Sequence, residues 1–239
     1  MKKSNVKDVL IISLKLLAIC AIVAAIVATV NLITEPTITK NLKLSTAETL
    51  TDIYKNDASF EKYFANNAVF SVSDDENSNE YFVKSDNNVL LKCSDAEFDR
   101  IADDKNEVIK NLYVLNDSEG ATLGYCIAVE PSGYKDVIKL LVSIDSNAVV
   151  KSVRIVSMNE TKGIGTRAIE DNKPPSHANG NKGWFLEQFT GLGSEDVTIS
   201  DMQPIAKATK TSQPIINAVN ISVKQIKAYI NSEGGVANE

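Results

Sequence analysis

One histidine, His177, and three cysteines, Cys20, Cys93 and Cys126, are all the imidazole and thiol in this chain of 239 residues. The cysteines lack metal-ligand spacing and the lone imidazole has no partner, so a metal site built on Cys and His is not expected. The same scarcity leaves no Ser–His–Asp or Cys–His set for nucleophilic catalysis. Basic charge is also short. Against 31 Asp and Glu there are 25 Lys and Arg, a net charge of −6, which argues against a nucleic-acid partner. There is no long run of like charge, no internal repeat and no low-complexity tract. The pair Asp103-Asp104 lies beside Lys105 in a polar loop and reads as surface.

Apolar residues, by contrast, are concentrated. Val9 to Ile33 is broken only by Ser13, Lys15, Thr29 and Asn31. At about 1.5 Å per helical residue this run crosses a hydrocarbon core about 30 Å thick. Lys15 is near enough to one end to snorkel its amine to the headgroups. Lys2, Lys3 and Lys7 precede the run, which places the N-terminus in the cytoplasm and everything after Ile33 on the far side. A cleaved signal peptide is the competing reading. The length of the run and the lack of a clean small-x-small site favour a single-pass anchor, and Ile19 is too bulky before Cys20 for a lipoprotein signal. Pro36, with no N–H to donate, is expected to end the span. With Cys20 inside the run, only Cys93 and Cys126 can pair in the water-exposed part. A disulfide and two buried free thiols both stay open.

Residues 1–8 thus read as a cytoplasmic N-terminus, 9–33 as the transmembrane anchor and 34–107 as a juxtamembrane helical and variable region. In the last of these, Leu50, Ile53, Tyr54 and Phe60 suggest a short helix or two, and Phe70, Val72, Tyr81, Phe82 and Val83 a weak hairpin. Four strand-like runs follow: Val108 to Leu115, Thr122 to Val129, Val137 to Ile144 and Val149 to Val156. Turn residues separate them, with a hairpin about Asp145-Ser146-Asn147. Trp184 to Phe189 predicts a short helix, with Trp184 either core or the wall of a pocket. Ser212 to Asn231 predicts a long one, capped by Ser212, with Pro214 in its first turn. Ile215, Val219, Val223, Ile226 and Ile230 form its apolar stripe. The expected fold is α+β: an antiparallel sheet with packed helices over residues 108–232, preceded by one N-terminal transmembrane helix and followed by a flexible tail, 233–239.

Two segments carry chemistry. Ile205 to Ser212 sets Thr209, Thr211 and Ser212 among the free N–H groups at a helix start. That position suits a phosphate, bound or esterified, and equally a simple N-cap. In Asn159 to Thr166, Gly163 and Gly165 flank Ile164 in a tight loop that is either a plain turn or a close approach to a planar ring. Glu160 and Thr161 there can offer hydrogen bonds to ring edges. If these segments converge, Lys162, Lys207 and Lys210 would cluster positive charge on a phosphate; each lysine singly reads as solvated.

Taken in order, Gly133-Tyr134, strand, turn, strand, Asn159-Glu160-Thr161-x-Gly163-Ile164-Gly165, then Trp184, Phe189 and Gly191, then Ala208-Thr209-x-Thr211-Ser212 resembles the FMN-binding domain of the G subunit of the Rnf electron-transport complexes. The C subunit of the sodium-pumping NADH:quinone reductase is a relative of that family. The resemblance covers the anchor and roughly residues 108–230. It implies FMN as cofactor, esterified to Thr209 by a separate flavin transferase, with Ala208, Thr211, Ser212, Glu160, Thr161, Gly163, Ile164 and Gly165 as the other cofactor-binding residues and no catalytic residue or metal. It further implies an electron-transfer role beside other membrane subunits, in a complex coupling ferredoxin and NAD chemistry to ion transport. The family pattern has Pro at Lys162, Ser at Ala206, Gly at Lys207 and an acidic residue at Gln203, with Asp201 two positions off. These departures leave non-covalent FMN, a structural subunit without flavin and a stand-alone extracytoplasmic flavoprotein as alternatives.

Overall fold

The computed structural model describes residues 6–75, 78–85, 88–99, 108–170, 185–194 and 196–236. The chain divides into two units, residues 1–43 and 44–239. His177, Asp103-Asp104, Lys105 and Trp184 lie outside the described residues.

The first unit is helical, the leading part of α1 (Val6–Lys55), and its apolar side chains from Val9 to Ile33 are exposed throughout. It is long and apolar enough to cross a membrane. Its polar side chains turn back onto the helix. Thr29 Oγ1 donates to the Ala25 carbonyl at 2.8 Å and Thr34 Oγ1 to that of Val30 at 2.9 Å. Such back-bonding satisfies hydroxyls where no water is available. Pro36 does not end the helix as expected; it lies inside α1. A proline removes one backbone bond locally, and the turns on either side carry the helix through. What stops at Glu35 is the apolar composition, not the helix.

In the second unit, seven strands pair antiparallel in chain order. They are β1 (Phe70–Val72), β2 (Tyr81–Ser85), β3 (Asn88–Asp95), β4 (Ile109–Asp117), β5 (Thr122–Val129), β6 (Lys139–Ile144) and β7 (Val150–Ser157), and a one-turn helix, α2 (Arg167–Glu170), follows them. The last four match the four strand-like runs. The expected weak hairpin is β1–β2, but it is not peripheral: through β3, which the polar surroundings of Asn88–Asp95 concealed, it joins the same sheet. All seven strands fall within the second unit.

The middle strands are buried on both sides. Tyr125, Ile127 and Val129 of β5 pack with α3 (Thr209–Val236), through Ile215, Val219, Val223 and Ile226. Cys126, between them in sequence, packs on the opposite face with Ala47, Leu50, Ile53 and Tyr54 at the end of α1. The period-two alternation of a strand produces this split. Each fully buried aliphatic side chain contributes roughly 1.5–3 kcal/mol relative to exposure, so α3 is held mainly by its stripe.

Three local expectations are corrected. α3 starts at Thr209 and runs to Val236, so Ser212 is inside the helix and Pro214 is its sixth residue, beyond the first turn. The predicted tail is helical as far as Val236; residues 237–239 lie outside the described ones. From Phe185 on, the predicted short helix is only a 3-10 turn, Glu187–Phe189, with the buried rings of Phe185 and Phe189 edge to face at 5.5 Å. Cys93 and Cys126 are buried free thiols. They sit on β3 and β5 with β4 between them, and two strand spacings, about 9.5 Å, exceed the reach of a disulfide.

Candidate functional site

Glu160 follows the end of β7 and is only 5 % exposed. Each oxygen of its carboxylate is engaged within the protein. Oε1 accepts the Lys135 backbone N–H at 2.9 Å, and Oε2 accepts the Thr211 hydroxyl at 2.5 Å. Burying a carboxylate is costly unless such charge-assisted bonds replace its water.

Two glycines make room for it. A Cβ on Gly133 would stand 2.6 Å from Oε1, and one on Gly165 would stand 2.8 Å from Oε2 and 2.9 Å from Thr211 Oγ1. Gly133 opens the loop between β5 and β6, where its N–H bonds the Asp136 carbonyl at 2.9 Å. Gly165 closes the loop after β7. There the N–H of Ile164 bonds the Thr161 carbonyl at 3.1 Å, and that of Gly163 bonds Thr166 Oγ1 at 2.9 Å. Gly163 has φ +70°, the left-handed backbone that glycine adopts at little cost.

The third segment is the start of α3. Ser212 Oγ accepts from the Ile205 N–H at 3.1 Å and donates to the Ala208 carbonyl at 3.1 Å, clamping the turn ahead of the helix. Ser212 therefore serves the backbone from inside the helix rather than as its cap. Lys207, where a glycine was expected, takes φ +63°. The turn adopts the left-handed conformation with a lysine in place, at a cost of roughly 1–2 kcal/mol.

The two segments singled out in the sequence thus meet, through Glu160, Gly165 and Thr211. Ala208, Thr211 and Ser212 are buried, while Thr209, Lys207 and Lys210 are exposed. Ile164 is exposed at its loop, with Thr161 half-buried and Gly163 exposed beside it. Glu160 is buried, and both its carboxylate oxygens accept hydrogen bonds from protein groups. Tyr134, Lys135 and Gly133 belong to the same locus and were not among the expected site residues. The Lys210 ammonium lies 5.3 Å from the centroid of the largely exposed Tyr134 ring. The signal for them was a glycine and an aromatic together in a polar turn. Among the described residues, Lys162, Lys207 and Lys210 form no ion pair, and no group of His, Cys, Asp and Glu is arranged for a metal.

The exposed residues that flank this junction in sequence are an aromatic ring, an aliphatic side chain beside an open glycine, a hydroxyl at a helix start and three ammonium groups, chemistry suited to a phosphorylated planar aromatic group. Residues 133–224, which take in β6, β7 and the first part of α3, match a known family, the FMN-binding domain. Its relatives narrow the class. It is similar to the G subunit of the Na(+)-translocating ferredoxin:NAD(+) oxidoreductase complex of Acetobacterium woodii, at 26 % identity over 51 % of this chain and 57 % of that one. It is also similar to the G subunit of the proton-translocating ferredoxin:NAD(+) oxidoreductase complex of Clostridium ljungdahlii, at 29 % over 45 % and 56 %. A third relative is the G subunit of the ion-translocating oxidoreductase complex of Aliivibrio fischeri, at 32 % over 27 % and 38 %. The chain spans little more than half the length of the first two relatives. The resemblance read from the sequence, to an Rnf-type G subunit with FMN as cofactor, is thereby supported by independent comparison.

Proposed function

We propose that the protein is a membrane-anchored flavoprotein subunit that passes electrons through FMN within an ion-translocating ferredoxin:NAD oxidoreductase. The observation that carries this reading is the junction of Glu160, Gly165 and Thr211, which brings the glycine loop and the start of α3 together while leaving Thr209 exposed. Bound there, FMN supplies the capacity to take up and release electrons singly or in pairs. Thr209 would hold it through an ester between Oγ and the phosphate, made by a separate flavin transferase that breaks the phosphoanhydride of an activated flavin nucleotide, the hydroxyl proton and the nucleotide fragment leaving. Ile164 and Tyr134 offer the apolar surface for a ring, and Lys207 and Lys210 the charge for a phosphate. The residues bind and orient; no side chain in the site is arranged for acid–base or nucleophilic work. The basic N-terminus supports an orientation with residues 1–8 in the cytoplasm and the domain outside it. The other subunits of the complex are its partners.

The test is to co-express the full chain with a flavin transferase and examine a denaturing gel for flavin fluorescence. A fluorescent band that Thr209→Val abolishes is the expected result. A dark band from a yellow native protein means bound but unattached FMN. A colourless protein overturns the reading in favour of a structural subunit, the alternative that Lys207 in a glycine position favours.

A further inference from the structure

We infer that Glu160 is a positioning residue: its buried carboxylate fastens three segments to one another and sets the direction in which Thr209 leaves the fold, without touching the flavin. This rests on the FMN reading above and assigns the roles within that site.

Three observations converge on the one group. Its oxygens are occupied separately, Oε1 by the Lys135 N–H and Oε2 by the Thr211 hydroxyl. Two glycines from different loops lie so close to it that a methyl on either would collide with a carboxylate oxygen. The residue is 5 % exposed, whereas Tyr134, Ile164 and Thr209 around it are exposed. A carboxylate that contacted a ring at the surface would show the reverse, an open oxygen and a loose environment.

The coupling to Thr209 is geometric. Thr211 and Thr209 belong to the same first turn of α3, so holding the Thr211 side chain fixes how that turn is rotated about the helix axis. Ser212 pins the same turn from its other side, to Ile205 and Ala208. With both restraints in place, Thr209 is presented outward in one orientation. Without the Glu160 restraint, the first turn can fray, as helix ends do, and the Thr209 hydroxyl is no longer held in one orientation.

The experiment uses the full chain, co-expressed with a flavin transferase, as wild type, Glu160→Gln, Glu160→Ala, Thr211→Val and Thr211→Ser. Covalent loading is read by fluorescence of the denatured band. Thr211→Val and Glu160→Ala are expected to lower it at least tenfold, and Thr211→Ser, which keeps the hydroxyl, to restore it. Flavin that does load onto Glu160→Gln is expected to keep the wild-type absorption spectrum and midpoint potential. A shifted potential or spectrum in that variant means direct contact and overturns the inference. So does Thr211→Val loading as well as wild type. If wild type takes no flavin at all, the FMN reading fails but the clasp is still decided by hydrogen exchange. The Lys135 amide should exchange at least tenfold faster in Glu160→Ala, and the α3 first-turn amides faster in Thr211→Val, than in wild type. Unchanged exchange removes the clasp. Should Glu160→Ala not fold, the two Thr211 variants carry the test.

Discussion

Ser143 Oγ donates a hydrogen bond to the Tyr54 hydroxyl at 3.0 Å, tying the end of α1 to β6 between residues 89 positions apart in the chain. Both groups are buried, Ser143 at 2 % exposure. Removing one partner leaves the other without water or a bond. Tyr54→Phe is therefore expected to cost roughly 1–3 kcal/mol, read as a lower denaturation midpoint of the purified chain in detergent. An unchanged midpoint would mean that the sheet does not depend on this contact.

The two thiols beneath that contact should be inert. Burial pushes the Cys93 thiol well up, and the Cys126 thiol up to about 12. Only a thiolate reacts readily, so at neutral pH an alkylating reagent should spare both in the native protein and label both after denaturation. The sign of the pH dependence follows. Below about pH 9 the thiols are neutral folded and unfolded, and contribute no slope. Above it the unfolded chain loses protons that the folded chain keeps. Stability should then fall as pH rises toward 12, by about 1.4 kcal/mol per unit for Cys126 alone. Cys126→Ser should flatten that slope.

Lys207 holds a left-handed backbone that glycine would adopt freely. Lys207→Gly should stabilise the chain by about 1 kcal/mol, seen as a higher midpoint in urea. If the lysine side chain also obstructs a flavin transferase, the same variant will load more flavin; unaltered loading assigns the lysine a neutral place at the rim.

Gly163 and Gly165 should fail for different reasons. Alanine at Gly165 drives a methyl into Glu160 and Thr211, an overpacking that costs roughly 1–3 kcal/mol. Alanine at Gly163 meets open space and costs about 1 kcal/mol from its positive φ alone. Equal losses at the two positions would contradict the close packing about Glu160. Thermal denaturation of both variants decides it.

How the chain was legible follows from the range of the forces involved. The four central strands, the amphipathic stripe of α3 and the apolar run of α1 are written in local periodicity, because burial on one face leaves a repeat in the residues themselves. The glycine loop and the hydroxyl cluster were visible as motifs for the same reason. Asn88–Asp95 was not recognised as a strand, since its fitness to be β3 comes from β2 and β4 on either side. Pro36 and Ser212 each have a local preference, to end and to cap a helix, that the neighbouring turns override.

What the amino-acid order determined alone was the set of pieces: an apolar helix, strands of alternating face, a helix with one greasy side and two chemically marked loops. Only the tertiary structure decided that Gly133, Glu160, Gly165 and Thr211 share one point, and that Glu160 turns inward. The pieces follow from contacts a few residues apart, which a linear pattern records. The meeting point depends on a carboxylate and a hydroxyl 51 positions apart in the chain, and on two missing methyl groups whose significance appears only when the loops are packed together.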